Sequence, residues 1–205
     1  MSTPGMRIYF AGASGAIGSR LLPMLVAAGH TVGAMTRSAE KAGRLASAGA
    51  QPIVCDVFDR SALTRAVRAF APDLLLHELT DLPDDLENLP RQSLLNARIR
   101  TEGTRNLLDA VADLTKTKVI AQSVAWTMEP GPEADAVARL EEGALMASGV
   151  VLRYGFLYGP GTYFETHLPP APRVHVHAAA ARTLQALDAP PGILRIVEDL
   201  PRNSQ

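Results

Sequence analysis

Residues 7–18, RIYFAGASGAIG, decide how the rest of the chain is read. RIYFA (Arg7 to Ala11) is a short apolar run of strand type, and the segment from about Ile17 to Ala28 has the length and apolar spacing of a helix, stopped by Gly29. Between them stand three glycines, Gly12, Gly15 and Gly18, at intervals of three. In a strand, tight turn, helix unit the first glycine lets the chain turn, the second lets backbone approach a ligand, and the third lets helix pack on strand. The small residues Ala13, Ser14 and Ala16 keep that approach open. A helix N-terminus behind such a turn presents free N–H groups to a phosphate, so the stretch predicts a nucleotide site.

Working outward, strand-like runs alternate with helix-length segments, the pattern of βαβ units around a parallel sheet. Thr31 to Arg37 reads as a second strand, Glu40 to Ala48 as a short helix and Pro52 to Val57 as a third strand. Ser61 is placed as the cap of a helix running to about Phe70, and Asp73 to Leu79 as the fourth strand. After the loop DLPDDLENLP comes the longest helical stretch, Arg91 to Leu114, then a fifth strand over Lys118 to Val124. Ala134 to Ala147 is read as helix and Gly149 to Gly155 as the sixth strand. Beyond Tyr158 a proline-rich connection leads to a brief extended RVHVH, a helix over Ala178 to Leu187, and a last strand, GILRIVE. The predicted fold is α/β, a Rossmann-type doubly wound parallel sheet, as a single domain over residues 1–205.

Composition narrows the partners. Forty-seven per cent hydrophobic residues in 205 supply one sizeable core. With 20 basic against 21 acidic residues, nothing draws the chain to nucleic acid or to an anionic membrane. One cysteine, Cys55, allows no intrachain disulfide, and no apolar stretch is long enough to cross a bilayer. A cytoplasmic protein acting on a small molecule is expected.

Two positions speak to which nucleotide. Arg37 ends the second strand, where an acid would accept from a ribose 2′-OH and an arginine holds a 2′-phosphate. No Asp or Glu occurs from Gly33 to Ser38, which favours NADP over NAD, the alternative being a strand end in water. Asp56 follows the third strand, placed either to accept from an adenine amino group or to hold a turn.

Taken together, GASGAIG, Asp56, LLLHELTDL, NARIRTEGTRNLLDAV, AQSVAW, VVLRYGFLYGPGT and VHVHAAAARTLQAL resemble the extended short-chain dehydrogenases/reductases, in their NAD(P)-dependent epimerase/dehydratase branch. The resemblance runs nearly end to end. It implies that Gly12, Ser14, Gly15, Ala16, Ile17 and Gly18 bind the pyrophosphate, Arg37 the 2′-phosphate, and Asp56 with Val57 the adenine. It places Leu79 and Thr80 along the adenosine and makes Ser123 the catalytic serine that polarises the substrate oxygen. It also implies a homodimer paired through the central helix and the helix after the serine strand.

The pattern breaks in three places. The family's Tyr and Lys, four residues apart in the helix after the serine strand, relay a proton, yet EADAVARLEEGAL contains neither. Aligning Glu141 or Glu142 with the family's acid puts the missing tyrosine at Glu133 or Ala134 and the missing lysine at Val137 or Ala138. Arg100 stands where the family commonly has a supporting asparagine; buried, it would favour an anionic ligand. Between GPGTYF and VHVH only ETHLPPAP remains of the substrate lobe, so residues 157–205 are read as its remnant. His175 and His177 would share a strand face, but without a third ligand no metal is assigned. The expected function is an NADP(H)-dependent oxidoreductase or epimerase-type enzyme on a small carbonyl or hydroxyl compound. The alternative is a non-catalytic NADP(H)-binding sensor or partner subunit.

Overall fold

A computed structural model describes residues 5–80 and 89–198, with side chains from residue 94 onward in the second stretch. Seven strands form one sheet, β1 (Arg7–Ala11), β2 (Thr31–Thr36), β3 (Gln51–Val54), β4 (Leu74–His77), β5 (Lys118–Val124), β6 (Val150–Tyr154) and β9 (Gly192–Ile196). Their order is β3-β2-β1-β4-β5-β6-β9, and every pairing is parallel. The order reverses between β1 and β4, so a crevice opens there at the carboxyl ends of the strands. The doubly wound reading of the sequence is the observed architecture.

The central strands read as nearly continuous apolar runs because both faces are covered. On one face Ile8, Phe10, Leu74 and Leu76 pack with Leu21, Leu22 and Leu25 of α1 (Gly18–Ala27) and with Ala179 and Ala180 of α7 (Val176–Gln185). On the other, Tyr9, Ala11 and Leu75 pack with Leu63 and Val67 of α3 (Arg60–Phe70) and Leu107 of α5 (Thr104–Val111). Period-two alternation assigns each strand residue to one layer. A further helix on this second face, α6 (Pro132–Met146), covers β5 and β6 through Leu140 and Ala144.

Four expectations need correction. Asp59, not Ser61, caps α3: its carboxylate accepts from Ala62 N at 2.9 Å, and Ser61 lies within the first turn. The long central helix is three pieces, α4 (Leu89–Arg98), a π-helical turn (Ile99–Gly103) and α5, and it begins two residues earlier than predicted. Most of the DLPDDLENLP loop lies outside the described residues. The RVHVH stretch is extended only as far as β8 (Arg173–His175), which pairs with β7 (Phe156–Tyr158) in a small second sheet. His175 is the N-cap of α7 and accepts from His177 N through Nδ1, so the two histidines do not share a strand face.

Candidate active site

The turn after β1 is built as its glycines require. Gly12 has φ +104°, and a Cβ there would stand 2.4 Å from the Glu78 carbonyl oxygen. At Gly18 a Cβ would meet the Gly12 carbonyl at 2.2 Å, which is the close helix-to-turn packing expected of the third glycine. Gly15 is exposed, and a Cβ there would meet only the Gly12 oxygen, at 3.3 Å, so its outer side is open. The N–H groups of Ala16, Ile17 and Gly18 have no backbone acceptor among the described residues. Ile17, the N-cap of α1, makes no side-chain cap, and the first turn holds no acid. Free donors, a positive helix end and an open floor fit a pyrophosphate.

Around that cradle the other predicted residues gather at the same edge of the sheet. Arg37 is exposed one residue beyond β2. Asp56 is exposed too, and its Oδ1 accepts from Phe58 N at 2.9 Å in a short turn. Val57 is buried against Gly103, and its carbonyl accepts from Asn106 Nδ2 at 3.0 Å. Leu79 and Thr80, half-buried, continue from β4 across the switch point from Gly12.

His77 is a structural residue. Leu79 N donates to its Nδ1, which places the ring proton on Nε2, 2.8 Å from Thr104 Oγ1. Burial pushes its pKa down to about 4.

Two features of this edge escape sequence reading. Arg20, on the first turn of α1, donates to the Ala16 carbonyl at 2.7 Å and to the Pro160 carbonyl, tying the phosphate-binding helix to the Gly159–Gly161 turn. Glu78 is buried beneath the glycine turn, with the Tyr154 hydroxyl 2.9 Å from its Oε1. Tyr154 also lies 2.6 Å from Thr183 Oγ1, and Thr183 donates to the Ala179 carbonyl. Tyr154 donates to Glu78, and burial, which outweighs that bond, raises the Glu78 pKa to about 8. The signal in the sequence was an acid interrupting the apolar run LLLHEL.

At the carboxyl end of β5 the arrangement is different. Ser123 is buried, and its hydroxyl donates to Glu141 Oε1 at 2.5 Å. Arg153 of β6 grips both oxygens of the same carboxylate, from Nε at 2.8 Å and Nη2 at 2.5 Å. Burial pushes the Glu141 pKa up, but the bonds from Arg153 and Ser123 outweigh it and hold the carboxyl below its ordinary value. The single proton of the Ser123 hydroxyl is thus directed into this cluster. Of the two acids left open in the alignment, Glu141 is the one that meets Ser123 and Arg153.

Two further tyrosines are bonded elsewhere. Tyr154 belongs to the Glu78 network, and the Tyr158 hydroxyl donates to Glu198 Oε1 at 2.5 Å. Trp126 is stacked on Phe156 with centroids 4.2 Å apart and planes 8° from parallel. With Met128, Glu129 and Glu133 it lines a cleft of about 360 Å³ between β5 and α6, room for a small molecule. Arg100, on the π-helical turn, is buried and attracted by Glu133. No group of three or more His, Cys, Asp or Glu able to hold a metal occurs among the described residues.

A sequence model described as NAD(P)H-binding matches residues 12–142, from the first glycine to α6. The chain belongs to this NAD(P)H-binding family. The chain is similar to a 3-diazoavenalumate denitrifying reductase of a Streptomyces species, 37% identical over 182 residues, 77% of this chain and 58% of the reductase. The chain therefore spans less than two thirds of that relative. In fold it is similar to Thermus thermophilus UDP-glucose 4-epimerase in complex with NAD (TM-score 0.74, 20% identity, 93% of this chain and 77% of that one). It is similar also to the Bordetella bronchiseptica enzyme WbmH in complex with NAD+ (TM-score 0.75, 15% identity, 95% and 76%). The chain shares the fold of these two NAD-bound structures. No described helix is long and apolar enough to cross a membrane.

Proposed function

We propose that the chain is an NADPH-dependent reductase whose hydride acceptor needs no proton from the protein. One observation carries this reading: the cradle for the nucleotide is intact and open, while the helix that should relay protons holds neither Tyr nor Lys and the Ser123 proton is given to Glu141. Bound NADPH would supply a hydride equivalent. The amides of residues 16–18 would hold its pyrophosphate, Asp56 with Val57 its adenine, and Arg37 the 2′-phosphate that distinguishes NADP from NAD. A carbonyl reduced to an alcohol must gain a proton at oxygen. A carbon that loses dinitrogen as it is reduced needs none, because the C–N electron pair departs with the gas. The relative named as a denitrifying reductase of a diazo compound supports this class of acceptor.

The test is NADPH oxidation by the purified chain against benzenediazonium and against a panel of carbonyl compounds, each with a protein-free blank. One dinitrogen released per NADPH, unaltered in Ser123→Ala, is the expected result. Turnover of the carbonyl panel, abolished in Ser123→Ala, would instead support the carbonyl or hydroxyl chemistry and the catalytic serine expected from the resemblance. The commitment of Ser123 to Glu141 also favours a second reading, a non-catalytic NADP(H)-binding sensor or partner subunit. Tight NADP(H) binding with no turnover of either class would select it. Replacing Arg37 with Ala should weaken NADP binding about 10- to 100-fold and leave NAD unchanged in calorimetry.

A cytoplasmic setting, with the single buried thiol Cys55, accompanies this reading. So does a homodimer: Leu94 and Leu95 of α4 and Leu145 and Met146 of α6 are exposed apolar residues on the two helices expected to pair. Sedimentation of Met146→Glu beside the parent chain checks it.

A further inference from the structure

Arg20 stands in the first turn of α1, directly behind the residues whose N–H groups face the nucleotide. Its Nη1 donates to the Ala16 carbonyl at 2.7 Å, and its Nη2 donates to the Pro160 carbonyl, 140 residues along the chain. Its Nε is sealed from solvent and meets no acceptor among the described residues. An unpaired buried donor is costly, so the guanidinium is held in this place by its two outer nitrogens. What it holds is a folded unit. The Gly159 N–H donates to the Phe164 carbonyl at 3.0 Å, Thr162 Oγ1 donates to the Gly159 carbonyl at 2.7 Å, and the Phe164 N–H donates to Thr162 Oγ1 at 3.3 Å. The Phe164 ring meets Phe156 edge-on with centroids 6.1 Å apart, and Phe156 is stacked on Trp126 at the wall of the cleft. Contacts therefore run from the glycine turn through Arg20 and the Pro160 turn to the indole.

We propose that Arg20 is a positioning residue that couples the two sites, so that a pyridine dinucleotide in the cradle fixes the wall of the cleft. The inference rests on the nucleotide reading of the cradle and is independent of which acceptor is reduced. Residues 16–18 begin α1 with N–H groups that have no backbone acceptor among the described residues, and a helix end of this kind is held loosely until a ligand meets those groups. The Ala16 carbonyl and the Ile17 N–H belong to one planar peptide. A pyrophosphate oxygen bonded to that N–H therefore fixes the carbonyl on the opposite side, which is the one Arg20 Nη1 grips. The guanidinium is itself a rigid plane, so fixing one edge aims the other at Pro160. Coupling between binding sites is reciprocal, and an ordered cleft wall in turn favours the bound nucleotide.

The test uses the whole chain with NADP as the probe, or NAD if that binds more tightly. Calorimetry reads affinity. Trp126 is the single tryptophan and is half-buried, so quenching of its emission by acrylamide reads the accessibility of the cleft wall. Saturation with nucleotide is expected to lower the quenching constant about twofold in the parent. Arg20→Met keeps the apolar stem and loses both bonds; it should bind nucleotide about tenfold more weakly and, once saturated, show the quenching constant of its nucleotide-free form. Arg20→Lys keeps the charge without the planar fork and should recover affinity more than protection. Phe164→Leu, on the cleft side of the chain of contacts, should weaken nucleotide binding about threefold alone and no further in Arg20→Met. Equal protection of Trp126 in the parent and in Arg20→Met would mean that the nucleotide itself shields the indole, and overturns the inference. Unmoved quenching in the saturated parent, or fully additive losses in the double variant, overturns it as well. If neither dinucleotide gives heat, the nucleotide reading fails and the coupling falls with it, whereas heat without protection of Trp126 refutes the coupling alone. If Arg20→Met does not fold, Arg20→Lys against the parent carries the comparison.

Discussion

The turn after β1 and the turn after β5 leave the same edge of one parallel sheet, and they obey different rules. The first is made of backbone. Its free N–H groups and its room depend on three glycines within seven residues, so local sequence suffices to specify it. The second is made of side chains contributed by β5, α6 and β6, where Ser123, Glu141 and Arg153 bond one another. A turn of backbone and a cluster of side chains therefore depend on different parts of the sequence.

The comparison breaks most visibly at Gly18. Its replacement by Val forces atoms toward a Cβ position only 2.2 Å from the Gly12 carbonyl, so NADP(H) affinity should fall on the order of 100-fold and stability by ~3 kcal/mol or more. Calorimetry with thermal unfolding checks both, and unchanged binding would show that the cradle is not built by that packing.

Next in size is Glu78, which lies under the cradle. Its folded-state pKa of about 8 stands above the unfolded value near 4.5. The unfolded chain therefore loses this proton first as pH rises, and stability declines from about pH 4.5 to 8 and stays low above. Glu78→Gln should remove this slope. Relative to the parent the variant should gain a few kcal/mol (order of magnitude) between pH 5 and pH 8, read from denaturant midpoints. Parallel pH profiles for the two proteins would show that Glu78 is not held neutral.

In the other region, Glu141→Gln leaves Arg153 without its ionic partner. The loss should be about 2 kcal/mol at pH 7, below the ~3–5 kcal/mol of a fully buried pair because Arg153 remains about a third exposed. Since the Glu141 carboxyl is held below its ordinary pKa, the contribution is present above the unfolded value and lost as pH falls through the folded one. NADP affinity should not move, which keeps the two regions distinct. The smallest effect concerns α3. Asp59→Ala should cost ~1 kcal/mol and Ser61→Ala under about 0.5 kcal/mol, because only the former caps the helix.

Strand succession, the glycine turn and the missing Tyr and Lys were legible in the sequence because each is a matter of local pattern: period, spacing, residue type. The predicted strands lie within a few residues of the observed ones, and the predicted nucleotide residues meet at one edge because parallel strands deliver their carboxyl ends together. Misreadings arose where competitors sat close in sequence. Asp59 and Ser61 are both good caps, and the geometry of the preceding turn chose between them. His175 looked like a strand residue and became an N-cap because α7 starts at Val176.

What the amino-acid order determined alone was the layered α/β architecture and a backbone site for a dinucleotide, both set by interactions between near neighbours. Tertiary structure alone decided that Glu78 meets Tyr154 and that Ser123 gives its proton to Glu141. Those partners come from strands and helices up to 76 residues apart. Charge and proton placement depend on which side chains the fold brings within 3 Å and on how much water it removes around them, and neither quantity is written in local spacing.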